Sequence, residues 1–471
     1  MNDQMDLGAF SRRRFVSMLG AGTASLTIAP LLSLYARRVQ AAPAFGEGFG
    51  PLSPKLPLNT DELITPEIGD LRNQPILALP DGFDYRVISC HGQSIDDGHR
   101  VSGAHDGMAA FRGPRATTIL VRNHELSSSG IAVGGPAVYD QTRRGGTTTL
   151  VLDNQGKLIR HYGSIAGTVR NCAGGPTPWG SWLTCEETFS EGDTGLRHGY
   201  VFEVPADGYG NIAPLTGMGR FSHEATATDP ATGVVYLTED RGDSAFYRYR
   251  PNVPGHLHAG GVLEALRLKD FPGGVGTGSG FRPYLQQPLA VEWVVIDEPD
   301  PDTEGGGNST RAQAQAKGAA VFVRGEGAWY GNGKIYFVST SGGDDRGGQV
   351  FAYDPADETL TLFVEAVRDS ADPALADNNG FIVAAPDNVA VGPDGRLYLC
   401  EDGSGVEKVV GVDSNGDLYE AARNVIGGDM GNGSEFAGVC FSHDGRFMFV
   451  NIQSPGLTCV IRGPWRKGQR G

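Results

Sequence analysis

The stretch His443-Asp-Gly-Arg-Phe-Met-Phe-Val450 places an Asp-Gly turn directly before an alternating apolar strand. The same order of turn and strand recurs at residues 393–400, 229–238 and 153–160. Aspartate and glycine favour tight turns, and apolar residues at every second position indicate a half-buried strand. Hairpins repeated in this way, with irregular insertions between them, are typical of β-propeller blades. The sequence therefore predicts an all-β protein with a β-propeller fold and loop insertions.

Further alternating segments support this fold class, and no long amphipathic helix interrupts them. They lie at residues 117–121, 148–152, 200–204, 234–238, 334–339, 348–353, 396–400 and 446–451. At roughly 40 to 50 residues for each repeat, the chain length favours about six blades, and a large β-sandwich is the alternative. The longest insertion, residues 297–317, is expected to be a mobile surface loop because it is rich in small and polar residues.

The composition restricts what the protein can bind. Glycine accounts for 70 of the 471 residues, and the formal net charge is -16. A protein this acidic repels nucleic acid and anionic lipid, so neither is expected as a partner. It would also repel a phosphate ester unless bound cations reversed the local field. An anionic substrate therefore requires metal ions.

The first 42 residues have the pattern of a twin-arginine signal peptide. Residues 11–16 read Ser-Arg-Arg-Arg-Phe-Val, and a weakly hydrophobic segment at residues 17–35 precedes a cleavage region at Ala41 or Ala42. The pattern predicts recognition by the twin-arginine translocation machinery and export in the folded state to the periplasm or outside the cell. A membrane anchor is the alternative. Because the segment is poor in bulky apolar residues, no stable membrane association is expected.

The rest of the chain is predicted to be an irregular arm over residues 43–76 and a single catalytic domain over residues 77–471, expected to be monomeric. This domain contains six widely spaced cysteines without a CxxC pair: Cys90, Cys172, Cys185, Cys400, Cys440 and Cys459. Their number allows disulfides in an exported protein but is low for a scaffold that depends on them. A Cys172–Cys185 disulfide remains an open alternative to free thiols.

Acidic residues cluster where predicted strands meet turns. The clusters lie at residues 122–125, 171–187, 221–224, 238–243, 324–327, 386–388 and 400–402. The inner strands of a propeller converge, so their ends can gather these side chains around one mouth. Such a site suits Ca²⁺, and Fe³⁺ also accepts carboxylates. A single acid beside a turn more commonly caps it or is solvated, so it is the number of similar clusters that favours a metal site.

These segments resemble the PhoX-type alkaline phosphatases. The resemblance covers about residues 77–464, and its most specific segment is Asn171-Cys-Ala-Gly-Gly-x-Thr-Pro-Trp-Gly-x-Trp-Leu-Thr-Cys-Glu-Glu187. The supporting segments are Asn123-His-Glu125, Phe221-Ser-His-Glu224, Arg324-x-Glu-Gly327, Phe436-Ala-Gly-x-x-Phe-Ser-x-Asp-Gly445 and Phe449-Val-Asn-Ile-Gln-Ser-Pro-Gly456. That family is exported by the twin-arginine route, folds as a propeller and holds two ferric ions with neighbouring calcium ions at one mouth.

The resemblance implies Fe³⁺ and Ca²⁺ as cofactors here, and hydrolysis of phosphate monoesters at alkaline pH as the activity. The implied iron ligands are Cys172, as a thiolate, with Glu224 and Glu326. The implied calcium ligands are Glu187 and Glu125, and further candidate metal ligands are Asn123, Glu186, Glu239 and Asp387. Arg324 would bind a phosphate oxygen. In the implied reaction cations neutralise the ester, and a guanidinium stabilises charge on the equatorial oxygens during in-line attack.

The chain departs from the family near its first predicted strand. Family members tend to carry an arginine followed by Gly-Asp there, and this chain reads Ser89-Cys-His-Gly-Gln93, which suggests that a second phosphate-binding arginine is missing. Two other functions stay open: a calcium-dependent propeller lactonase or esterase, and an exported propeller that binds a ligand without catalysis. A thiolate at Cys172 suits iron and has no role in an all-oxygen calcium site. Turnover separates the phosphatase from the binding protein.

Overall fold

The alternating segments of the sequence form antiparallel strands joined by short turns. The computed structural model describes residues 48–369, 380–428 and 431–465, all of which belong to one compact unit, Pro43–Gly471. The predicted signal peptide, residues 1–42, lies outside the described residues. Within those described ranges a single α-helix, α1 (Thr310–Ala316), accompanies many strands. The predicted all-β propeller class is confirmed.

The strands are grouped in sheets that follow one another along the chain. The N-terminal strands are β1 (Leu52–Lys55), β2 (Ile64–Thr65), β3 (Gly69–Asp70), β4 (Leu77–Pro80) and β5 (Asp84–Cys90). A four-stranded sheet contains β6 (His105–Arg112), β7 (Thr118–His124), β8 (Gly145–Leu152) and β9 (Leu158–Thr168). A three-stranded sheet contains β10 (Asn171–Pro176), β11 (Ser181–Glu186) and β12 (Val201–Pro205).

The remaining strands form one large sheet and two smaller ones. The nine-stranded sheet contains β13 (His223–Thr228), β14 (Val235–Glu239), β15 (Tyr247–Pro251), β16 (Gly261–Leu268), β17 (Pro288–Val295), β18 (Gly325–Gly331), β19 (Lys334–Ser339), β20 (Gln349–Asp354) and β21 (Thr359–Glu365). With β1 and β4, a six-stranded sheet contains β22 (Pro386–Val391), β23 (Leu397–Glu401), β24 (Lys408–Val412) and β25 (Leu418–Asn424). With β5, a four-stranded sheet contains β26 (Phe436–Phe441), β27 (Phe447–Ile452) and β28 (Leu457–Arg462). Short 3-10 helices lie at Thr60–Glu62, Pro114–Ala116, Thr216–Met218, Leu257–Ala259 and Arg282–Tyr284.

Six strands form the inner ring of the propeller: β6, β10, β13, β18, β22 and β26. Each packs against the next in this order, and β26 packs against β6. The inner strands do not each have a separate sheet. β17 pairs with both β16 and β21, so β13 and β18 belong to the same nine-stranded sheet. The number of blades, about six, therefore stays a prediction.

An N-terminal strand completes the last sheet. β5 pairs with β28, with Cys90 opposite Leu457 and Asp84 opposite Arg462, so the two ends of the domain close the ring together. The sequence predicts an irregular arm over residues 43–76, and the structure differs at β1, which pairs with β4. Two of the four residues of this strand are exposed and none is fully buried, so the sequence carries no apolar alternation there.

The insertion at residues 297–317, expected as a mobile surface loop, instead carries α1 and packs on the sheet. The Ser309 side chain accepts a hydrogen bond from the Ala312 N–H and caps the helix, as an N-cap serine commonly does. Gln313 is buried and donates to the carbonyl oxygens of Glu298 and Asn308. These contacts tie the insertion together, although its composition resembles that of a solvated loop.

Apolar side chains fill the space between neighbouring sheets. One cluster joins Met108 of β6 and Leu120 of β7 to Phe449 of β27 and Val460 of β28. Burial of a large apolar side chain contributes about 1.5–3 kcal/mol, so these contacts hold the inner strands at a fixed spacing. Among the described residues, none of the helices has the length and apolar character that a membrane span requires.

Candidate metal centre

An extra residue interrupts the pairing of every inner strand close to its first residue. In β6, the two residues between His105 and Met108 lie opposite a single residue of β7. The equivalent irregularities lie between Asn171 and Gly174, His223 and Thr226, Gly325 and Ala328, Pro386 and Val389, and Ala437 and Cys440. A bulge of this kind bends the strand and re-aims a side chain, and bulges are frequent beside functional sites.

The bulges place five polar side chains around one cavity of about 130 Å³. The first bulge residues that line it are Asp106, Cys172, Glu224, Glu326 and Asp387. The sixth inner strand has Gly438 at this position. The repeated backbone irregularity thus collects similar groups from strands that are far apart in the sequence.

The other lining residues also occupy repeated positions. Five of them directly follow the strand that pairs with an inner strand: Glu125, Glu187, Asp240, Thr340 and Asp402. Three directly precede an inner strand: Arg170, Arg324 and Glu435. Strand ends are therefore the source of nearly every group at the mouth, as the clusters in the sequence predict.

Three groups of side chains hold possible metal-binding atoms within 4.8 Å of one another. The groups are Cys172 with Glu187 and Glu224, Glu224 with Glu326 and Asp387, and Asp106 with Glu125 and Glu435. Glu224 belongs to two groups, so these two sites would share a ligand. The first group offers a sulfur atom, which suits iron, and the other two offer only oxygen atoms, which both calcium and Fe³⁺ accept. The donor set therefore fits both of the metals that the family resemblance implies.

The cavity carries far more negative than positive side chains. Nine carboxylates and two guanidinium groups line it. Burial raises the pKa of Glu224, Glu326 and Asp387 well above the usual range, and neighbouring carboxylates raise it further. Burial also raises the pKa of Glu187 to about 7, although Arg170 opposes the shift. Such groups ionise together only when cations balance them, which is the electrostatic signature of a cation site.

The two cysteines of the most specific sequence segment lie in different surroundings. Cys172 lines the cavity, and its sulfur lies 3.4 Å from the carbonyl oxygen of His223. Burial raises the pKa of this thiol well above its usual range, so a bound cation would be needed to hold it as a thiolate. Cys185 packs in an apolar cluster with Leu183 and Val201. Both cysteines are free, so the disulfide alternative is absent from the structure.

Two arginines lie over the carboxylates at the mouth. The Arg324 guanidinium donates to both carboxylate oxygens of Asp240 at 2.8 and 3.0 Å and to Glu326 at 2.8 Å. The Arg170 guanidinium contacts Glu125 at 2.8 Å and also pairs with Glu187. Charge-assisted contacts of this type fix the plane of a guanidinium group, so both arginines are held in place by acids of the site.

Glycines let the inner strands approach closely enough to bring the bulges together. A Cβ atom on Gly327, next to Glu326, would lie 2.6 Å from the carbonyl oxygen of Asp387. A Cβ atom on Gly107, next to Asp106, would lie 2.6 Å from the Cα atom of Ala173. Because both obstacles are backbone atoms, only glycine fits at these positions without moving a strand.

Comparison with known proteins decides the family. A family model described as alkaline phosphatase PhoX matches residues 66–161 and 155–456. The chain belongs to the alkaline phosphatase PhoX family. Its structure is similar to that of Pseudomonas fluorescens PhoX in complex with vanadate, a transition state analogue, with a TM-score of 0.62 and 18% identity over 83% of this chain and 96% of that chain.

More distant likenesses have a lower TM-score. A gluconolactonase of Xanthomonas campestris has a TM-score of 0.41 and 12% identity over 89% of this chain and 99% of that chain, which is too low to support an argument. No curated protein sequence matches the chain. The predicted PhoX family is confirmed, whereas the ligand roles of individual residues stay predictions.

Three of the residues that the PhoX resemblance names as candidate ligands do not line the cavity: Asn123, Glu186 and Glu239. Asn123 lies behind the Cys172 bulge. Its amide nitrogen donates to the carbonyl oxygens of Cys172 at 3.1 Å and Ala173 at 2.7 Å, and its amide oxygen accepts from the Trp182 indole at 2.9 Å. In the structure, both ends of the Asn123 amide are therefore used to support the bulge and the strand beside it.

Glu186, the last residue of β11, does not line the cavity that its neighbour Glu187 lines. It accepts hydrogen bonds from the backbone N–H groups of Val169 and Gly199 at 2.9 and 2.8 Å, and its oxygen lies 2.7 Å from Nδ1 of His198. The protein itself supplies the donors of this fully buried carboxylate, and Glu186 does not line the cavity.

Glu239 is the partner of the insertion helix. It accepts from the Tyr247 hydroxyl at 2.8 Å and pairs with Arg311 of α1 at 3.1 Å. Burial raises its pKa to about 7, against the opposite effect of Arg311. The sequence placed Glu239 beside a turn but could not show that the next residue, Asp240, is the one that reaches the mouth.

Some residues of the cavity were not selected as ligands from the sequence: Asp106, Arg170, Asp240, Thr340, Asp402 and Glu435. Asp240 and Asp402 belong to the acidic clusters at residues 238–243 and 400–402. Asp106 shares an acid-glycine order with Glu326, since each precedes the glycine of its bulge, and this repeat is a signal that could have identified it. Arg170 directly precedes the Asn171-Cys172 segment and carries no such local signal.

Proposed function

We propose that this chain is an exported, metal-dependent phosphatase that hydrolyses phosphate monoesters at alkaline pH with iron and calcium at the propeller mouth. The observation that supports it most strongly is the combination, in one cavity, of a thiol, nine carboxylates and two guanidinium groups. Membership of the PhoX family supports a phosphatase. A thiol has no use in an all-oxygen calcium lactonase site, so Cys172 favours the phosphatase over that alternative.

The proposed ligand roles follow the family resemblance. Cys172, Glu224 and Glu326 would hold iron, and Glu125 and Glu187 would hold calcium. Asp387, Asp106 and Glu435 extend the same three groups. When bound, the cations would supply charge neutralisation of the ester and Lewis-acid polarisation of the phosphorus centre.

Arg324 would bind and orient the phosphate group. Its side chain is 43% exposed, whereas those of Asp240 and Glu326 are 12% and 8% exposed. The guanidinium therefore lies on the solvent side of the acids that hold it, where it can donate to phosphate oxygens. Removing one preorganised donor of this kind from a hydrolase typically costs about 10²- to 10³-fold in kcat.

Chelation tests the metal requirement. We expect a calcium chelator to abolish hydrolysis of an aryl phosphate at alkaline pH, and added Ca²⁺ but not Mg²⁺ to restore it. Calcium accepts six to eight irregularly placed oxygen ligands, whereas Mg²⁺ requires a strict octahedron and keeps its water. Vanadate should inhibit the restored activity in competition with substrate. Full activity in chelator contradicts the proposal.

Export by the twin-arginine route is the second part of the proposal, and it rests on Arg12 and Arg13. Changing both to Lys keeps the charge but removes the guanidinium pair, so the precursor should stay in the cytoplasm. Immunoblots of fractionated cells measure this. Normal periplasmic amounts of the double-Lys variant would show that another route exports the protein.

A further inference from the structure

Arg170 and Arg324 occupy equivalent positions in two inner strands. Arg170 directly precedes β10 and Arg324 directly precedes β18, and each stands two residues before the first bulge residue, Cys172 or Glu326. Both have a left-handed backbone, with φ of 48° and 55°. Ala104 and Ala385 have the same left-handed backbone directly before β6 and β22, so this conformation is a repeated feature of the inner ring.

The backbone contacts of the two arginines match as well. The Arg170 N–H donates to the carbonyl of Leu126 at 2.9 Å, and its own carbonyl accepts from the N–H of Glu187 at 3.0 Å. The Arg324 N–H donates to the carbonyl of Arg241 at 2.9 Å, and its carbonyl accepts from the N–H of Thr340 at 2.9 Å.

In both cases the residue whose N–H donates to the arginine carbonyl directly follows the strand that pairs with the inner strand. Glu187 follows β11, and Thr340 follows β19. The same local frame therefore holds each guanidinium at the mouth.

Both side chains lie on the solvent side of the carboxylates that they bind. Arg170 is 44% exposed, and its partners Glu125 and Glu187 are 19% and 12% exposed. These values parallel those of Arg324 and its partners. An anion that enters the cavity would meet two guanidinium groups before the acids beneath them.

We propose that Arg170 is a second phosphate-binding residue, which acts with Arg324 on the same phosphate group. This rests on the proposed phosphatase function and assigns the role of the arginine that the family tends to carry where this chain has Ser89 to Gln93. Neither Cys90 nor His91 is among the residues that line the cavity. A phosphate presents several oxygens in a tetrahedral arrangement, so guanidinium groups from two strands can each bind a different oxygen.

The partners of Arg170 explain how it becomes available to a substrate. Glu125 and Glu187 each belong to a group that could hold a cation. Once a cation takes up the charge of these carboxylates, the guanidinium no longer has to balance them and its donors can turn to the phosphate. The competing role for Arg170 is purely structural, as a counter-charge that keeps Glu125 and Glu187 in position.

Binding of inorganic phosphate to the metal-loaded protein separates the two roles. Calorimetric titration would compare the native protein with Arg170→Met, Arg324→Met and the control Arg446→Met, which breaks the exposed Arg446–Asp444 pair on a turn. We expect Arg170→Met and Arg324→Met each to weaken phosphate binding by about 10- to 100-fold, the size of a lost charge-assisted hydrogen bond. Iron and calcium contents should be unchanged, and Arg446→Met should behave like the native protein.

Other outcomes overturn the proposal. Native phosphate affinity in Arg170→Met would contradict it, and so would a loss of affinity that only follows a loss of metal. If Arg170→Met does not fold, Arg170→Lys decides, because lysine keeps the charge but loses the planar pair of donors: weaker phosphate binding with retained metal supports the proposal, and native binding contradicts it.

The same experiment keeps the proposed function separate. A protein that binds phosphate through both arginines but hydrolyses no ester would refute the phosphatase function alone. An active phosphatase whose phosphate binding ignores Arg170 would refute this inference alone.

Discussion

Glu186 and Glu187 are neighbours in the sequence, and their side chains end in opposite environments. Glu186 is fully buried, and its oxygens accept from backbone N–H groups and lie beside His198. Glu187 lines the mouth, close to Cys172 and Glu224. The protein itself supplies the donors for the first carboxylate, whereas the second stands among other acids with only an arginine to balance it.

The same contrast separates buried acids outside the cavity, such as Glu239, from the carboxylates that line it. Glu239 has Tyr247 and Arg311 as partners, whereas Glu224 and Glu326 stand mainly among other carboxylates, which raise their pKa. An acidic residue at a strand end is therefore a candidate metal ligand when the protein leaves its charge uncompensated, and a structural group when it does not.

The largest expected difference is between the two cysteines. Cys172→Ser should lose iron and reduce turnover by about 100-fold or more, because a hydroxyl is a far poorer anionic ligand than a thiolate. Cys185→Ser should keep iron and cost about 1–3 kcal/mol of stability if the buried hydroxyl finds no partner. Iron analysis and thermal unfolding of both purified variants measure this. Equal iron in the two variants would remove Cys172 from the metal site.

The second comparison uses glutamates. Glu224→Gln removes a charge shared by two of the possible metal groups, so metal content and activity should both fall steeply. Glu186→Gln should destabilise the fold by about 1–3 kcal/mol, because a buried acceptor set is disturbed, while metal and turnover per folded molecule are kept. Loss of metal from Glu186→Gln at unchanged stability would break the distinction between the two environments.

A third comparison tests whether close strand approach positions the ligands. Gly327→Ala meets the backbone of Asp387 and Asn388, so it should push β18 from β22, separate Glu326 from Asp387 and lower calcium affinity about tenfold or more. Gly273→Ala is the control, because nothing lies within 4 Å of its added Cβ atom. Calcium titration of the two variants reads the effect, and equal affinities would show that the spacing is not limiting.

The last comparison concerns the pH dependence of the metal-free protein. Burial raises the pKa of Glu187 from 4.5 to about 7, so the folded state keeps a proton that the unfolded state releases, and stability falls as the pH rises through this range. The shift corresponds to about 3 kcal/mol. Saturating Ca²⁺ should remove this part of the fall, because cations favour ionised carboxylates, and leave the part due to Glu239.

Chemical unfolding at pH 5 and pH 8, with and without Ca²⁺, checks this prediction. If the metal-free protein were equally stable at both pH values, the mouth acids would have to be compensated in some other way.

Local pattern was sufficient to predict eight of the strands, whereas a strand without apolar alternation, such as β1, was missed. Residues 334–339 were expected as a strand and form β19, and residues 446–451 differ from β27 by one residue. The bulges could not be predicted, because two residues opposite one is a property of the partner strand as well. The family resemblance assigned Asn123 and Glu239 to the site, and neither the resemblance nor the turn-flanked clusters selected Asp106 or Arg170.

Metal analysis of the protein exported by its native host tests the central claim most directly. If the uncompensated acids and Cys172 form a cation centre, iron and calcium will copurify with the protein, and both will be lost together with aryl phosphatase activity when the protein is chelated. A purified protein that contains neither metal and still hydrolyses an aryl phosphate would contradict the account.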